Sequence, residues 1–333
     1  MKAIFVSDLH LTDRPIDEYR WKIFDQLDEL CITHKVGTVY ILGDLTERKD
    51  FHSSRLVNRI TDSLAQLAQG REVHILKGNH DGLDPDRPYF LFLHRIPGVS
   101  FYSSPGCLMK EKDVVLLLPH TRQPEEDWEE IDLQKATHIF IHGTVHGAVS
   151  ESGQVLQGID IGLFKGLRAC ILAGDIHVPQ IIGKQVEYIG APYPIRFGDE
   201  FPPRALLVDG NTRTSLPLEN IRKLTLHCTA QSLGDKVRTV RVGDQVKAVI
   251  ELSDSELHEF HKLKQGISAQ VSALGGVLLK VQLVKRASTK PKIKKGAGAQ
   301  HATTPVDELR TFCQRNGVEE ELAVLGEQLL EAA

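Results

Sequence analysis

The stretch Met1-Lys2-Ala3-Ile4-Phe5-Val6-Ser7-Asp8-Leu9-His10 decides the fold. Residues 3–6 form an apolar run of strand-forming residues, which ends at a carboxylate and an imidazole two positions apart. A continuous apolar run predicts a strand buried on both faces, as in the sheet of a layered α/β fold. Ligands of such sheets gather at the carboxyl ends of the strands, and side chains two apart on an extended segment point the same way. One metal ion could therefore bind both Asp8 and His10.

The same arrangement, an apolar strand that ends in metal-ligand residue types, recurs along the chain. Further strands are predicted at residues 38–42, 72–76, 114–118, 137–141 and 169–173. Four of them run into possible ligands, namely Asp44, Asn79 with His80, His142, and Asp175 with His177. Apolar residues at helical spacing predict helices over about residues 17–35 and from about residue 53, which would cover the sheet. Strand ends that share these residue types indicate one common site.

The residue types at these strand ends suit a particular chemistry. Imidazole with carboxylate suits Mn, Fe or Zn better than Ca or Mg. Mixed Asp, His and Asn ligands around a shared carboxylate are what a two-metal hydrolase needs. Glycines before Asp44, Asn79 and Asp175 permit the sharp turns and close backbone approach of such a site.

Together these motifs carry a family resemblance. The series Asp8-x-His10, Gly43-Asp44, Gly78-Asn79-His80-Asp81, His142-Gly143 and Gly174-Asp175-x-His177 resembles the five motifs of calcineurin-like metallophosphoesterases. The resemblance implies an α/β fold, a four-layer metallophosphoesterase sandwich of mixed sheets flanked by helices. It also implies two divalent metal ions as cofactors, with Mn²⁺ expected first and Mg²⁺, Fe²⁺ or Zn²⁺ as alternatives.

The resemblance assigns a role to each motif residue. The first ion would fall to Asp8, His10 and His177, the bridge to Asp44, and the second ion to Asn79, His142 and Asp175. His80 would be the catalytic residue, facing the scissile phosphate to stabilise its charge or to protonate the leaving oxygen.

Asp175 departs from the family pattern, which usually has Gly-His-x-His at this motif. A carboxylate can still bind a metal, but it adds negative charge and should make the second ion a weaker Lewis acid. We expect this to shift the preference toward harder ions such as Mn²⁺ or Mg²⁺. The alternative is that the second site is poorly occupied.

Four further residues are candidates for substrate contact. His52 lies in the loop after Asp44, where the family often places such residues, whereas His120 follows a strand and a proline. His146 lies in a glycine-flanked loop shortly after His142. For each histidine an ordinary turn or packing role is the alternative. Arg196 belongs to a segment described next.

Residues 186–209 narrow the resemblance. The run Tyr188-Ile-Gly-Ala-Pro192 comes just after the last metal motif, and Arg196-Phe-Gly-Asp199 follows it. This combination resembles the SbcD-type DNA nuclease branch of the family. Protein Ser/Thr phosphatases fit less well, because they carry Gly-Asp-x-Val-Asp-Arg-Gly and Gly-Asn-His-Glu. Here the corresponding runs are Gly43-Asp44-Leu-Thr-Glu-Arg and Gly78-Asn-His-Asp81.

Charge is distributed unevenly along the 333 residues, whose formal net charge is −4. Residues 222–295 hold 15 Lys and Arg against 6 Asp and Glu, whereas residues 296–333 hold 2 against 7. We expect four segments: a nuclease domain at 1–221, a basic α/β capping domain at 222–286, a flexible linker at 287–303 and a helical tail at 304–333. An unequal charge distribution indicates different partners for different segments.

The capping domain is predicted from a strand near residues 246–252, a helix opened by the capping box Ser253-Asp-Ser-Glu256, and a strand at 277–284. The order β-α-β resembles the capping domain that SbcD-type nucleases place beside the active site. Its positive charge predicts contact with the backbone of duplex DNA. A merely solvated basic surface is the alternative.

The tail is predicted as two short helices that share one apolar face. So small a helix pair buries too little apolar surface to be stable alone. By resemblance we expect it to dock on an SbcC-like ABC-type ATPase; packing on its own capping domain is the alternative. The resemblance also implies a homodimer, although no dimer surface is evident in the sequence.

The expected function is that of a two-metal-dependent DNA nuclease with exonuclease or endonuclease activity, the nuclease subunit of an SbcCD-like recombination and repair complex. Rival hypotheses are a small-molecule or cyclic-nucleotide phosphodiesterase, and an inactive scaffold that recruits an ATPase. Five cysteines without a CxxC pair suit a reducing cytoplasm, that of a bacterial or phage-infected cell. Neither a membrane-spanning segment nor a signal-peptide pattern is expected.

Overall fold

The computed structural model describes residues 1–84, 87–110, 112–229, 232–253 and 256–286, together with residues 309, 310, 313 and 324. Met1–Arg286 form one compact unit and Ala287–Ala333 a second. The predicted linker at 287–303 lies outside the described residues. So does nearly all of the predicted tail at 304–333, and both remain predictions.

The chain alternates strands with helices over most of its described length. The strands are β1 Lys2–Val6, β2 Thr38–Ile41, β3 Glu72–Leu76, β4 Val99–Tyr102, β5 Gly106–Lys110, β6 Asp113–Leu118, β7 His138–His142, β8 Cys170–Gly174, β9 Gln180–Ile182, β10 Val186–Tyr188, β11 Arg204–Asp209, β12 Thr212–Pro217, β13 Lys223–Thr229, β14 Gln245–Leu252 and β15 Val277–Lys285. The α-helices are α1 Lys22–His34, α2 Ser54–Leu67, α3 Pro124–Asp127, α4 Leu233–Val237 and α5 Phe260–Ala273. Short 3₁₀ helices lie at Pro15–Trp21, Tyr89–Arg95, Leu133–Lys135, Ile161–Phe164 and Leu257–Glu259.

Two six-stranded mixed sheets pack face to face. Their strand orders are β12-β11-β1-β2-β3-β4 and β5-β6-β7-β8-β10-β9. Ala3 and Phe5 of β1 point into the space between the sheets, where Phe5 stacks on Tyr40 and meets the edge of Phe140 with ring centroids 4.8 Å apart. Ile4 of the same strand belongs to the core on the opposite face. Burial on both faces explains the continuous apolar run.

Helical segments cover the outer faces of both sheets. The helices α1 and α2 pack on the first sheet, with Leu56, Ile60 and Leu64 of α2 buried. Ser53 caps α2 by accepting a hydrogen bond from the backbone N–H of Leu56 at 3.1 Å. The short helical turns and the loops that follow β6 and β7 cover the second sheet. This arrangement confirms the predicted four-layer α/β sandwich of mixed sheets.

Residues 223–286 add a third, smaller sheet. Its strands β13, β14 and β15 are all parallel, and α4 and α5 connect them. The sequence predicted only β14, a helix and β15, so the structure adds β13 and α4. The carboxylate of Glu256 accepts from the Ser253 N–H at 2.8 Å, as a capping box requires. The first turn after it is nevertheless 3₁₀, and α5 begins at Phe260.

None of the helices within the described residues combines the length and the apolar character that crossing a membrane requires.

Candidate metal centre

The carboxyl ends of β1, β2, β7 and β8 bring side chains of the sequence motifs into contact. Nε2 of His10 lies 3.2 Å from Nε2 of His177 and 3.5 Å from Oδ2 of Asp44. Nε2 of His142 lies 3.4 Å from Oδ1 of Asp44. Ligand atoms that each lie about 2.1 Å from one ion can be separated by such distances. Asp44 thus reaches a histidine on either side of it, as a bridging carboxylate must.

Among the described residues, three groups of His and Asp side chains have ligand atoms that all lie within 4.8 Å of one another. They are Asp8 with His10 and His177, Asp8 with Asp44 and His142, and His10 with Asp44 and His80. The first is the set expected for the first ion. In the second, Asp8 stands where Asp175 was expected.

Asp175 lies at the rim of this cluster. Its Oδ1 is 3.9 Å from Nε2 of His142 and accepts a hydrogen bond from Nδ2 of Asn79 at 3.4 Å. Its other oxygen accepts from the hydroxyl of Thr144, and its backbone N–H donates to the carboxylate of Asp8 at 3.1 Å. Asp175 therefore lies within reach of the second ligand group, but its carboxylate is already held by two donors.

Backbone geometry at the strand ends is unusual. Asp8, His10, Asp44 and Asp175 all have positive φ, at 57°, 43°, 52° and 99°. Such conformations are unfavourable for residues with a side chain and persist where the surroundings enforce them. Here the N–H of His10 donates to the carbonyl of Asp44 at 2.9 Å, and that of Asp8 to the carbonyl of Gly43 at 3.1 Å. The two ligand-bearing loops thus fix each other.

Two glycines allow these loops to approach closely. A Cβ on Gly78 would lie 2.1 Å from Oδ1 of Asp44, and one on Gly43 would lie 2.0 Å from Nδ1 of His142. The buried carboxylate of Asp81 accepts from the N–H groups of Gly78 and Leu45, at 2.7 and 2.9 Å. Asp81 therefore ties the loop after β3 to the loop after β2.

Backbone carbonyls orient two of the histidines. Nδ1 of His142 lies 2.6 Å from the carbonyl oxygen of Leu42, and Nδ1 of His80 lies 2.8 Å from that of Glu47. Because a carbonyl oxygen can only accept, the hydrogen lies on Nδ1 in both rings. The lone pair of a neutral ring is then on Nε2. In His142 that atom faces Asp44.

Two glutamates that the sequence did not single out orient the other histidines. Oε1 of Glu151 lies 2.9 Å from Nδ1 of His177, and Oε2 of Glu47 lies 3.3 Å from Nδ1 of His10. Pairing with His177 lowers the pKa of Glu151 to about 2. Burial raises the pKa of Glu47, but pairing with His10 outweighs it and lowers this pKa to about 2. An ionised carboxylate at Nδ1 favours a hydrogen there, and metal-binding histidines commonly have this support.

The cluster fits a pair of divalent cations. With hydrogens on Nδ1, the lone pairs of His10 and His177 face each other at Nε2, which calls for a cation or proton between them. Within the part of the chain that the structure describes, Oδ1 of Asn79 and Nε2 of His142 are buried without a hydrogen-bond partner. Burial raises the pKa of Asp44 well above its usual range. A bound cation would satisfy all of these groups.

Residues 188–199 support the ligand-bearing loops through hydrogen bonds. The hydroxyl of Tyr188 donates to the carbonyl of Gly143 at 2.8 Å, and that of Tyr193 donates to the carbonyl of Leu9. The N–H of Ala191 donates to the carbonyl of His177 at 2.9 Å. The segment that narrowed the family resemblance is thus hydrogen-bonded to three of the ligand loops.

Of the four candidates for substrate contact, the structure places only Arg196 in the metal cavity, which measures about 200 Å³. His120 lines a neighbouring cavity. His52 packs on Tyr89 and is hydrogen-bonded to the carbonyl of Lys49 at 2.8 Å; among the described residues it lines neither of these two cavities. His146 is exposed and hydrogen-bonded to a glutamine side chain.

A four-layer α/β sandwich with Asp, His and Asn side chains gathered at its strand ends defines a metal-dependent hydrolase. Residues 1–179 match the family model "Calcineurin-like phosphoesterase", and the chain belongs to this family. The prediction of the family and of a metal-dependent hydrolase is confirmed. The family and the His and Asp cluster together indicate a centre for two metal ions.

Parts of the chain also resemble solved structures. One is described as a novel archaeal phosphodiesterase, with 14% identity, a TM-score of 0.36, and coverage of 66% of this chain and 100% of the other. Another is the Pseudomonas putida nuclease MPE, with 16% identity, a TM-score of 0.30 and coverage of 65% and 73%. A third is a dimetal phosphatase from Danio rerio, with 10% identity, a TM-score of 0.32 and coverage of 66% and 99%. At these identities and TM-scores the likenesses carry no argument about activity. Among curated proteins no significant match is found.

Proposed function

We propose that the protein is a two-metal-dependent DNA nuclease that hydrolyses phosphodiester bonds, as the nuclease subunit of an SbcCD-like recombination and repair complex. The observation that carries this proposal is the position of the basic capping domain, residues 222–286, next to the metal cavity. Nζ of Lys223, at the start of β13, donates to the carbonyl of Ile195 at 2.9 Å, and the next residue, Arg196, lines that cavity.

The capping domain is attached to the rest of the protein at a second point as well. Nε2 of Gln245 in β14 donates to the carbonyl of Ile16 at 2.6 Å. Residues 222–286 hold 11 Lys and Arg against 6 Asp and Glu. A positive surface fixed beside a phosphoester-cleaving centre suits a polyanionic substrate better than a small molecule.

The side chains of the cavity provide the remaining functions. When bound, the two ions would stabilise charge on the phosphoryl oxygens and lower the pKa of water. Arg196, at the cavity wall, would hold a non-bridging oxygen of the phosphate. His80 has its Nδ1 hydrogen committed to the carbonyl of Glu47, so as an imidazolium, with a second hydrogen on Nε2, it would give that second hydrogen to the leaving oxygen.

We propose Mn²⁺ as the physiological ion. Together with Asp8 and Asp44, Asp175 gives the site one carboxylate more than the family pattern usually has. Carboxylates favour harder ions, and imidazoles keep the site open to Fe²⁺ or Zn²⁺.

Activity on linear duplex DNA with Mn²⁺, compared with a chromogenic phosphodiester, tests the proposal. Wild type is expected to cleave both substrates, and His80→Ala to lose about 10²- to 10⁴-fold in kcat while it still binds metal. Cleavage of the chromogenic diester alone would favour the small-molecule phosphodiesterase. Cleavage of neither substrate, with metal bound, would favour the inactive scaffold.

We further propose that residues 304–333 dock on an SbcC-like ATPase. Co-purification of that ATPase with the full chain and with a chain that lacks residues 300–333 tests this. Equal recovery would contradict docking.

A further inference from the structure

A second, larger cavity lies beside the metal centre and has no role so far. Its volume is about 630 Å³, and Asn79 lines both this cavity and the one that holds the ligand cluster. The ring of His120, in its wall, meets the ring of the ligand His142 edge to face, with centroids 6.1 Å apart. The backbone N–H of His120 donates to the backbone carbonyl of Lys77 at 2.9 Å, which fixes this wall of the cavity to the loop after β3.

The lining is strongly cationic. Among the described residues, Lys49, Lys77 and Arg122 line the cavity, against the carboxylate of Asp127 alone. The Asp127 carboxylate already accepts a hydrogen bond from the hydroxyl of Thr121. Three cationic side chains around one cavity attract an anion.

His120 lies in the wall of the same cavity as these cations. Its Nδ1 is buried without a hydrogen-bond partner among the described residues. A buried ring nitrogen without a partner, beside cationic side chains, suits a ligand that brings both negative charge and hydrogen-bonding oxygens.

Part of the remaining lining is apolar. Pro105, Pro119 and Trp128 line the cavity alongside the cations. Flat apolar and aromatic surfaces are what sugars and bases of a nucleic acid strand pack against. The cavity therefore combines an anion site with a surface for a nucleoside, next to the centre that cleaves a phosphodiester.

We propose that this cavity binds the nucleotide that adjoins the scissile linkage in a DNA strand, with its phosphate held by Lys49, Lys77 and Arg122. This inference rests on the proposed nuclease function and deepens it. It explains how the site selects a polynucleotide over an isolated phosphodiester, because only a polynucleotide supplies a second phosphate.

The test compares two substrates of the full-length protein with Mn²⁺. One is a linear duplex oligonucleotide, and the other is the p-nitrophenyl ester of thymidine 5′-phosphate, which has one phosphate only. The variant is Lys49→Gln with Arg122→Gln; Lys49 is half-buried and Arg122 is exposed. The matched control is Lys165→Gln with Arg95→Gln, two exposed residues outside the cavity lining.

For the variant we expect the ratio of kcat/KM on the oligonucleotide to kcat/KM on the ester to fall about tenfold or more relative to wild type. The slope of log KM against log salt for the oligonucleotide should also fall, by about 0.9 for each lost contact. The control should keep both the ratio and the slope.

Two results would overturn the inference, and they differ in what else they overturn. If wild type cleaves both substrates and the variant changes both equally, or changes neither, the cavity does not hold the neighbouring phosphate and the nuclease function stands. If wild type cleaves the ester and not the oligonucleotide, the proposed nuclease function fails and the inference fails with it.

Discussion

Glu151 lies with Oε1 2.9 Å from Nδ1 of His177, on the side of the ring that faces away from the ligand cluster. The same relationship recurs between Glu47 and Nδ1 of His10, at 3.3 Å. Both histidines of the first ion are thus supported by a carboxylate, and their Nε2 atoms are presented to one point. The carboxylates fix ring orientation and raise the basicity of the ligand nitrogen, which strengthens metal binding.

Replacing Glu151 should weaken the metal centre without unfolding the protein. In Glu151→Gln the amide can still contact His177, but the negative charge that supports Nδ1–H is lost. We expect the affinity of the first site for Mn²⁺ to fall about 10- to 100-fold, as is typical for such supporting groups. Calorimetric titration of the metal-free protein with Mn²⁺ measures this directly.

Glu129→Gln is the control for that titration. Glu129 is exposed, so its substitution removes the same charge at the surface of the protein. It should bind Mn²⁺ as wild type does. Wild-type affinity in Glu151→Gln would mean that the glutamate does not support His177 in the loaded site.

Gly78 provides a test of the close approach between loops. In Gly78→Ala the new Cβ would lie 2.1 Å from Oδ1 of Asp44 and 2.3 Å from its backbone nitrogen, so the bridging carboxylate has to move. We expect loss of binding at both metal sites and a fall of about 2 kcal/mol or more in the free energy of unfolding. Metal analysis and urea unfolding measure the two effects.

Gly37→Ala is the matched control, since a Cβ there would meet nothing within 4 Å. It should leave metal content and stability close to wild type. Full metal content in Gly78→Ala would contradict the view that this glycine is required by the position of Asp44.

Much of the site was predictable because its signals are local. Asp8, Asp44 and His177 lie two or three residues after the end of a buried apolar strand, and His142 is the last residue of another. Parallel strand ends converge. Glu151 carries no such signal. It lies in a polar loop after β7, and only the tertiary structure places it behind His177.

The fold, like the site, was predictable where its sequence signals are local. Predicted strands and helices of the two large sheets match the observed ones to within a few residues, except that the segment before Lys22 is 3₁₀ rather than α-helical. The strand β13 was missed although Leu224, Leu226 and Cys228 alternate with polar residues, a pattern typical of a half-buried strand. Short strands such as β9, with three residues, depend on pairing with a distant strand and carry little signal of their own.

We expect Asp175 to influence which ion the second metal site prefers. The expected effect of Asp175→His is a shift in preference from Mn²⁺ or Mg²⁺ toward Zn²⁺, because imidazole replaces a hard carboxylate. It also removes acceptors for Thr144 and Asn79, which releases the Asn79 side chain to turn. Metal analysis after equilibration with equal concentrations of the ions measures the preference. Unchanged occupancy and preference would show that the carboxylate does not act on the second ion.

The pH dependence of stability should depend in part on His74, which packs on Tyr40 with ring centroids 4.8 Å apart and is 5% exposed. Burial, assisted by the charge of Lys110, lowers the pKa of His74 to about 4, against about 6.5 in an unfolded chain. Below pH 6.5 the unfolded state therefore takes up a proton that the folded state does not. The contribution is present in full above about pH 6.5 and is lost as the pH falls toward 4, by about 3 kcal/mol.

His74→Phe keeps a ring against Tyr40 and removes the titrating group. We expect its free energy of unfolding, measured in urea between pH 7 and pH 4, to fall less steeply than that of wild type, by about 3 kcal/mol over the range. His258→Phe, at an exposed histidine whose side chain is 76% accessible, should follow the wild-type curve. If His74→Phe also followed that curve, the acid sensitivity would have to come from other buried histidines, because removing this proton-binding site would then have changed nothing.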